Sequence, residues 1–354
     1  MNKIPNIQSA LKNSELDAIL ITSPSNRRYS TGFRSTAGKV LVTEDASYFF
    51  VDSRYIEAAE EKITNCQVLM IDRENSYEKR INDMISAHYI KNLGFEEEEL
   101  TVKAHSDLTE KLNAALVPAS KLMVGLRASK DAEELAIMRE AQRIANESFN
   151  YLLTRISTDV TETDLAAELT YQMKLRGAED CSFDPIIVSG EHSSIPHGEP
   201  ENVKLKKGFL IMDFGAKYKG YCSDTTRTVC IGKPTDEMVK VYNIVREAQA
   251  AGIAAARAGI QGKLIDKAAR DVIDAAGYKG TFGHGFGHSL GIDIHEAPYA
   301  NPSEEGIIPA GAMISAEPGI YLKGKFGVRI EDVLHITEDG CESITNLGKD
   351  LIIL

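Results

Sequence analysis

The sequence lacks any CxxC pair or regular cysteine spacing: its five cysteines stand at positions 66, 181, 222, 230 and 341. That excludes a disulfide framework and leaves reduced thiols as the reading. No apolar run approaches the roughly 18 residues of a membrane span. The opening Met1-Asn2-Lys3-Ile4-Pro5 lacks the basic-then-apolar pattern of a secretion signal, so a cytoplasmic location is expected. An excess of positive charge is missing too. The formal net charge is −12, with acids and bases interspersed, which disfavours nucleic acid and anionic membrane as partners. The one dense like-charge run, Glu96 to Glu99, reads as a solvated loop.

What is present is an ordinary globular composition, 43% hydrophobic and 26% charged, on 354 residues, long enough for two domains. Short apolar runs rich in β-branched and aromatic residues begin at Ala18, Val40, Tyr48 and Val68, and stretches 54–63, 76–90 and 107–117 read as helices. This alternation predicts a small α/β domain over residues 1–125. A charged stretch then opens a long helix, with Ser129 or Asp131 as N-cap and apolar residues at 135, 138, 141, 145, 149, 152 and 156. The second domain is placed at 126–354.

That second part repeats itself faintly. Arg139-Glu140-Ala141-Gln142 recurs as Arg246-Glu247-Ala248-Gln249, each inside a long amphipathic stretch. Each is followed by an Ala-rich helix, 163–176 and 263–276, that ends at Gly177 or Gly277. Glycine- and strand-rich segments follow both. Two αα-then-β units predict a pseudo-twofold α+β domain with helices on a curved antiparallel sheet.

Three segments carry chemistry. Asp213 and Asp224 flank a turn containing Gly215 and Gly220, and a hairpin can bring carboxylates from its two strands onto one face. Taken singly, either is as readily an ordinary strand-end aspartate. Asp213-Phe-Gly matches a kinase triplet, but no glycine-rich loop or HRD accompanies it. Residues 283–298, Gly-His284-Gly-Phe-Gly-His288-Ser-Leu-Gly-Ile-Asp-Ile-His295-Glu-Ala-Pro, crowd three histidines among glycines, without the HExxH of helical zinc proteases. Glu317 and Glu331 lie in apolar strand-like runs, where a carboxylate is costly unless paired or metal-bound. Arg329 is the alternative partner for one of them. The four acids bring four negative charges, which two divalent ions would cancel. Oxygen-rich ligation with a single imidazole suits Mn, Co, Fe or Zn, and two such ions about 3.5–4 Å apart can activate a shared water.

Together the stretch from Asp213 to Asp224, GHGFGHSLGIDIHE, SAEPGIY and RIED resemble the pita-bread metallopeptidase family (M24), which includes methionine aminopeptidase, prolidase and aminopeptidase P. Residues 1–125 resemble the N-terminal domain of creatinase and the proline peptidases, a domain that methionine aminopeptidases usually lack. The resemblance implies metal ligation by Asp213, Asp224, His288, Glu317 and Glu331. Asp213 serves one metal, Asp224 and Glu331 bridge, and His288 and Glu317 share a metal. His288 stands seven positions before His295, a spacing that matches the family and favours His288 over His284. By the same resemblance Glu317 is the proton shuttle for an attacking metal-bridging hydroxide. His197 and His295 are catalytic and substrate-facing, and His284 and Arg329 face the proline side.

The implied activity is hydrolysis of Xaa-Pro bonds, in Xaa-Pro dipeptides or at the N-terminus of longer peptides. The implied cofactor is two divalent ions, manganese first and cobalt, zinc or iron as alternatives, in a homodimer. The physical rationale is that an Xaa-Pro bond is a tertiary amide with no N–H, so a peptidase requiring that donor handles it badly. The competing readings are a metal-free hydrolase of the creatinase kind and an inactive module that binds peptides or proteins; both would have lost ligand positions that stand intact here.

Overall fold

The computed structural model describes residues 2–354. The chain divides into two compact units, Met1–Arg127 and Ala128–Leu354.

The first unit is built on a mixed six-stranded sheet. Its order is Gln67–Met70, Ser47–Val51, Lys39–Thr43, Ala18–Ile21, Asn92–Phe95, Ala115–Pro118. Ala18–Ile21 is buried throughout, as a run of β-branched and aliphatic residues in a central strand should be. Two expectations need correction here. The helix expected over 107–117 is instead Val102–Lys111, because Thr101 caps it by accepting from the Ala104 amide. Leu116 and Val117 then enter the edge strand, where Pro118 is tolerated. Glu96 is not solvated: it is buried and accepts from the Thr22 and Ser23 amides, both their hydroxyls and the Asn26 side chain. A carboxylate satisfied on both oxygens removes the penalty that burial would otherwise impose. Glu98 and Glu99 are exposed as expected.

The second unit opens at Asp131, whose side chain accepts from the Glu134 amide while Glu134 reaches back to the Asp131 amide. This capping box starts the helix Ala132–Leu152. Glu162–Leu175 follows, capped by Thr161 and Asp164 in the same manner. The second half repeats the plan with Asp236–Ala255, capped by Thr235, and Gly262–Ala275. Both short helices end at a left-handed glycine, Gly177 (φ +102°) and Gly277 (φ +90°). The residues preceding the two short helices, Thr161 and Gln261, make equivalent isolated bridges to Lys204 and Ile307.

Each helix pair buries its apolar face on an antiparallel sheet. In the first half Ile144, Phe149, Leu165 and Leu169 pack with Ile187, Leu210 and Met212. The sheet beneath has the order Thr225–Ile231, Gly208–Phe214, Ile186–Ser189. In the second half Val241, Val245, Ile265 and Ala269 pack with Ile314, Val328 and Leu334. There the five strands run Glu296–Ala300, Gly287–Ser289, Met313–Ala316, Asp332–Ile336, Cys341–Ser343. Burying each such side chain contributes roughly 1.5–3 kcal/mol. The result is the α+β, pita-bread arrangement expected. No helix among the described residues is long and apolar enough to cross a membrane.

Candidate metal centre

The candidate ligands sit at the ends of paired strands, at matching places in the two halves. Gly208–Phe214 pairs with Thr225–Ile231, with Asp213 opposite Thr226. Asp224 immediately precedes that second strand. In the other half, Met313–Ala316 pairs with Asp332–Ile336, with Ala316 opposite Asp332. Glu317 follows the first of these strands and Glu331 precedes the second. Beyond them Gly319–Leu322 and Phe326–Arg329 form a separate two-stranded hairpin. The Glu331 amide donates to the Thr226 carbonyl at 3.0 Å, so backbone joins the two halves beside the carboxylates.

One oxygen each of Asp213, Asp224 and Glu331 lies within 4.8 Å of the others. All three residues are buried, at 8%, 4% and 1% exposure. His288 places Nε2 3.7 Å from Asp224 Oδ2 and 3.3 Å from Glu317 Oε1. Asp224 therefore belongs to two groups: the carboxylate trio, and a second group with His288 and Glu317. His288 Nδ1 faces the Ser289 carbonyl at 3.1 Å, an acceptor only, so Nδ1 carries a proton and Nε2 is the nitrogen that could ligate a cation. Gly287 beside it has no alternative: a Cβ there would stand 1.8 Å from the Ser315 carbonyl oxygen. The same close approach lets the Ser315 hydroxyl accept from the His288 amide and donate to Glu317 Oε1.

The electrostatics favour cations. Burial first, then the charges of Glu331, Asp213 and Glu317, push the Asp224 carboxyl well above the ordinary carboxylate range. Glu331 moves the same way through burial and then the charges of Glu317 and Asp213. Asp213 also rises, since burial exceeds the pull of Arg329. Glu317 goes the opposite way. Burial would raise it, but the hydrogen bond and charge of His288, with the charges of His284 and Arg329, bring it down to about 2. His288 is raised because Glu317 outweighs burial. Asp213 Oδ1, Asp224 Oδ1 and Glu331 Oε1 are buried without a hydrogen-bond partner among the described residues. Buried carboxylate oxygens left in this way, clustered and mutually repulsive, fit a set of divalent cations.

Arg329, expected to face the proline side, lies in the cavity wall but is only 2% exposed. All three of its guanidinium nitrogens are engaged. Nη2 donates to Asp213 Oδ2 at 2.6 Å, Nε to the Thr226 hydroxyl at 3.1 Å, and Nη1 to the Tyr321 hydroxyl at 2.7 Å and the Pro196 carbonyl at 3.1 Å. Tyr321 in turn lies 2.9 Å from His284 Nε2, and His284 Nδ1 2.9 Å from the Gly285 carbonyl. Protons thus order along one line, from Arg329 to Tyr321 to His284. His284 and His295 are both lowered, by burial first, then by Arg329 for His284 and by His288 for His295. The rings of His288 and His295 meet edge-on at 4.3 Å. His197, His284, His288 and His295 all open on one cavity of about 730 Å³, together with the five candidate ligands and Arg329.

Several supporting residues escaped the sequence reading. Thr226 donates to Glu331 Oε2 at 2.7 Å, and Tyr321 ties Arg329 to His284. Lys130, nearly buried, donates to Glu296 at 2.8 Å and to the Ser289 hydroxyl at 3.2 Å, holding the segment between His288 and His295. The repeat was legible, though its purpose was not. Gln142 donates to the Thr225 hydroxyl next to Asp224, and Gln249 donates to the carbonyls of Ala316 and Ile330, which precede Glu317 and Glu331.

Comparison with known proteins places the chain among metallopeptidases. The model of metallopeptidase family M24 matches residues 136–338, and that of the creatinase/prolidase N-terminal domain matches residues 3–129. The uncharacterized peptidase YqhT of Bacillus subtilis is 39% identical over 99% of this chain and 100% of its own. A solved Xaa-Pro dipeptidase from Bacillus anthracis superposes with a TM-score of 0.95 at 38% identity, covering 99% of each chain. An X-Pro aminopeptidase from Thermotoga maritima gives 0.92 at 31% identity, covering 98% of this chain and 100% of that one.

Proposed function

The chain belongs to metallopeptidase family M24, and from that premise we propose that it hydrolyses the bond between the first residue and a proline in second position. The observation that carries the hydrolytic, metal-dependent part of this reading is the shared position of Asp224, between the Asp213–Glu331 carboxylates and the His288–Glu317 pair. Asp213, Asp224, His288, Glu317 and Glu331 would hold two divalent cations, with Asp224 and Glu331 common to both and manganese as first candidate. Such ions lower the pKa of a water and polarise the scissile carbonyl.

The chain's own residues do the rest. Glu317 Oε1 is held by the Ser315 hydroxyl, which orients the carboxylate that takes a proton from the attacking water and delivers it to the leaving nitrogen. His197 and His295 present imidazoles to the cavity, where they hydrogen-bond the developing oxyanion and the leaving group. His284, oriented by Tyr321, faces the prolyl side. Arg329 fixes the orientation of Asp213 and of the turn carrying His197 through the Pro196 carbonyl. Phe183, Ile186 and Ile294 give the cavity an apolar wall suited to the pyrrolidine ring. Relatives named as an Xaa-Pro dipeptidase and an X-Pro aminopeptidase support the same bond preference. The resemblance also supports a homodimer.

The test is hydrolysis of Ala-Pro and Ala-Pro-Ala against Ala-Ala and Ala-Ala-Ala by protein supplied with Mn²⁺ or Co²⁺. Cleavage confined to the prolyl substrates, and abolished by a chelator, is expected. Cleavage of none of them overturns the reading.

A further inference from the structure

The cavity walls carry six carboxylates and one guanidinium, and no lysine of the described residues joins them. That guanidinium, Arg329, is committed on every nitrogen and nearly inaccessible. Four of the carboxylates are the candidate ligands, whose charge two divalent ions would balance. The other two, Asp184 and Glu199, are exposed. Asp184 precedes Ile186, the residue that pairs across strands with Asp213, and Glu199 follows the turn bearing His197. With two divalent ions and Arg329 counted against all six carboxylates, the cavity keeps one negative charge in excess, and its described lining offers no lysine or second arginine to meet an anionic ligand.

On the reading of the site as an Xaa-Pro peptidase, this charge pattern bears on substrate length. A free Xaa-Pro dipeptide carries an ammonium at one end and a carboxylate on the proline itself. A longer peptide carries a neutral amide at that second point. We infer that Asp184 and Glu199 are specificity-determining residues that disfavour a carboxylate on the proline, so that the site prefers peptides continuing beyond it. A cavity of about 730 Å³ lies in the upper part of the roughly 300–1,000 Å³ range of small-ligand clefts, with room for a third residue. Because both acids are exposed in the cavity lining, they act through a field that salt weakens.

The experiment compares kcat/KM for Ala-Pro, Ala-Pro-amide and Ala-Pro-Ala, with the Mn²⁺-supplied full chain at low ionic strength. The amide and the tripeptide are expected to exceed the dipeptide by about tenfold or more, and the gap to narrow as NaCl is raised. Asp184→Asn combined with Glu199→Gln should raise kcat/KM for the dipeptide several-fold through KM while changing the amide less. A dipeptide cleaved as well as its amide overturns the inference, as does a double substitution that moves both substrates equally. Failure to cleave any of the three overturns the Xaa-Pro reading instead, so the two failures are distinguishable.

Discussion

Arg329 and Asp213 form a buried ion pair, Nη2 to Oδ2 at 2.6 Å, with their side chains only 3% and 12% exposed. Removing one member of such a pair leaves a buried charge uncompensated, at a cost of about 3–5 kcal/mol. Arg329→Leu should therefore lower the unfolding free energy of chelator-treated protein by about that amount in urea titrations, and added Mn²⁺ should restore part of the loss by binding Asp213. An unchanged midpoint in chelator would show that the pair does not hold the site together.

The pH response of metal-stripped protein follows from the carboxylate cluster. Asp224 and Glu331 have raised folded-state pKa values. The stability they contribute is complete below the unfolded value of about 4 and is lost as pH rises through the folded value. His288 is raised as well, so its contribution is present below about 6.5 and fades above it. Metal ligation needs all three deprotonated, so binding releases protons and strengthens with pH. The added stabilisation from Mn²⁺ should therefore grow as pH rises above about 4. Parallel profiles with and without metal would contradict this.

The paired glutamines should act on the metal rather than on the substrate. Gln142 and Gln249 are fully buried; Gln142 holds the Thr225 hydroxyl next to Asp224, and Gln249 holds the carbonyls that precede Glu317 and Glu331. Gln249→Leu removes two hydrogen bonds to backbone carbonyls and leaves both acceptors buried, a cost of about 1–3 kcal/mol each. Mn²⁺ binding should weaken about 10–100-fold, with KM for an Ala-Pro peptide little changed. A lower Tm with undisturbed metal affinity would confine this residue to folding.

Tyr321→Phe keeps the ring and removes the hydroxyl between Arg329 and His284. Its effect should fall on kcat/KM for prolyl substrates, by about tenfold, with metal stoichiometry unchanged. Loss of a metal ion instead would place Tyr321 in support of Asp213.

Much of this site was legible from the chain because its residues are short-range punctuation. Asp213 and Asp224 bracket a turn, and Glu317 and Glu331 stand where apolar strands stop. The repeated Arg-Glu-Ala-Gln marked the two halves. What stayed hidden depends on contacts between distant segments. Nothing local to Glu96 says that Thr22, Ser23 and Asn26 will satisfy it, and nothing local to Arg329 says that Asp213 and Tyr321 will take up its donors. The helix expected to extend to residue 117 failed because apolar residues such as Leu116 fit either state. The parallel partner Asn92–Phe95 decided in favour of a strand.

Asp213, Asp224, His288, Glu317 and Glu331 are proposed to hold two cations that share Asp224. Calorimetric titration of chelator-stripped Asp224→Asn with Mn²⁺, beside the wild-type chain and with circular dichroism to verify folding, tests it most directly. The account predicts two ions per chain in the wild type and severe weakening of both sites in the variant. A folded variant that still binds two ions at wild-type affinity would contradict it.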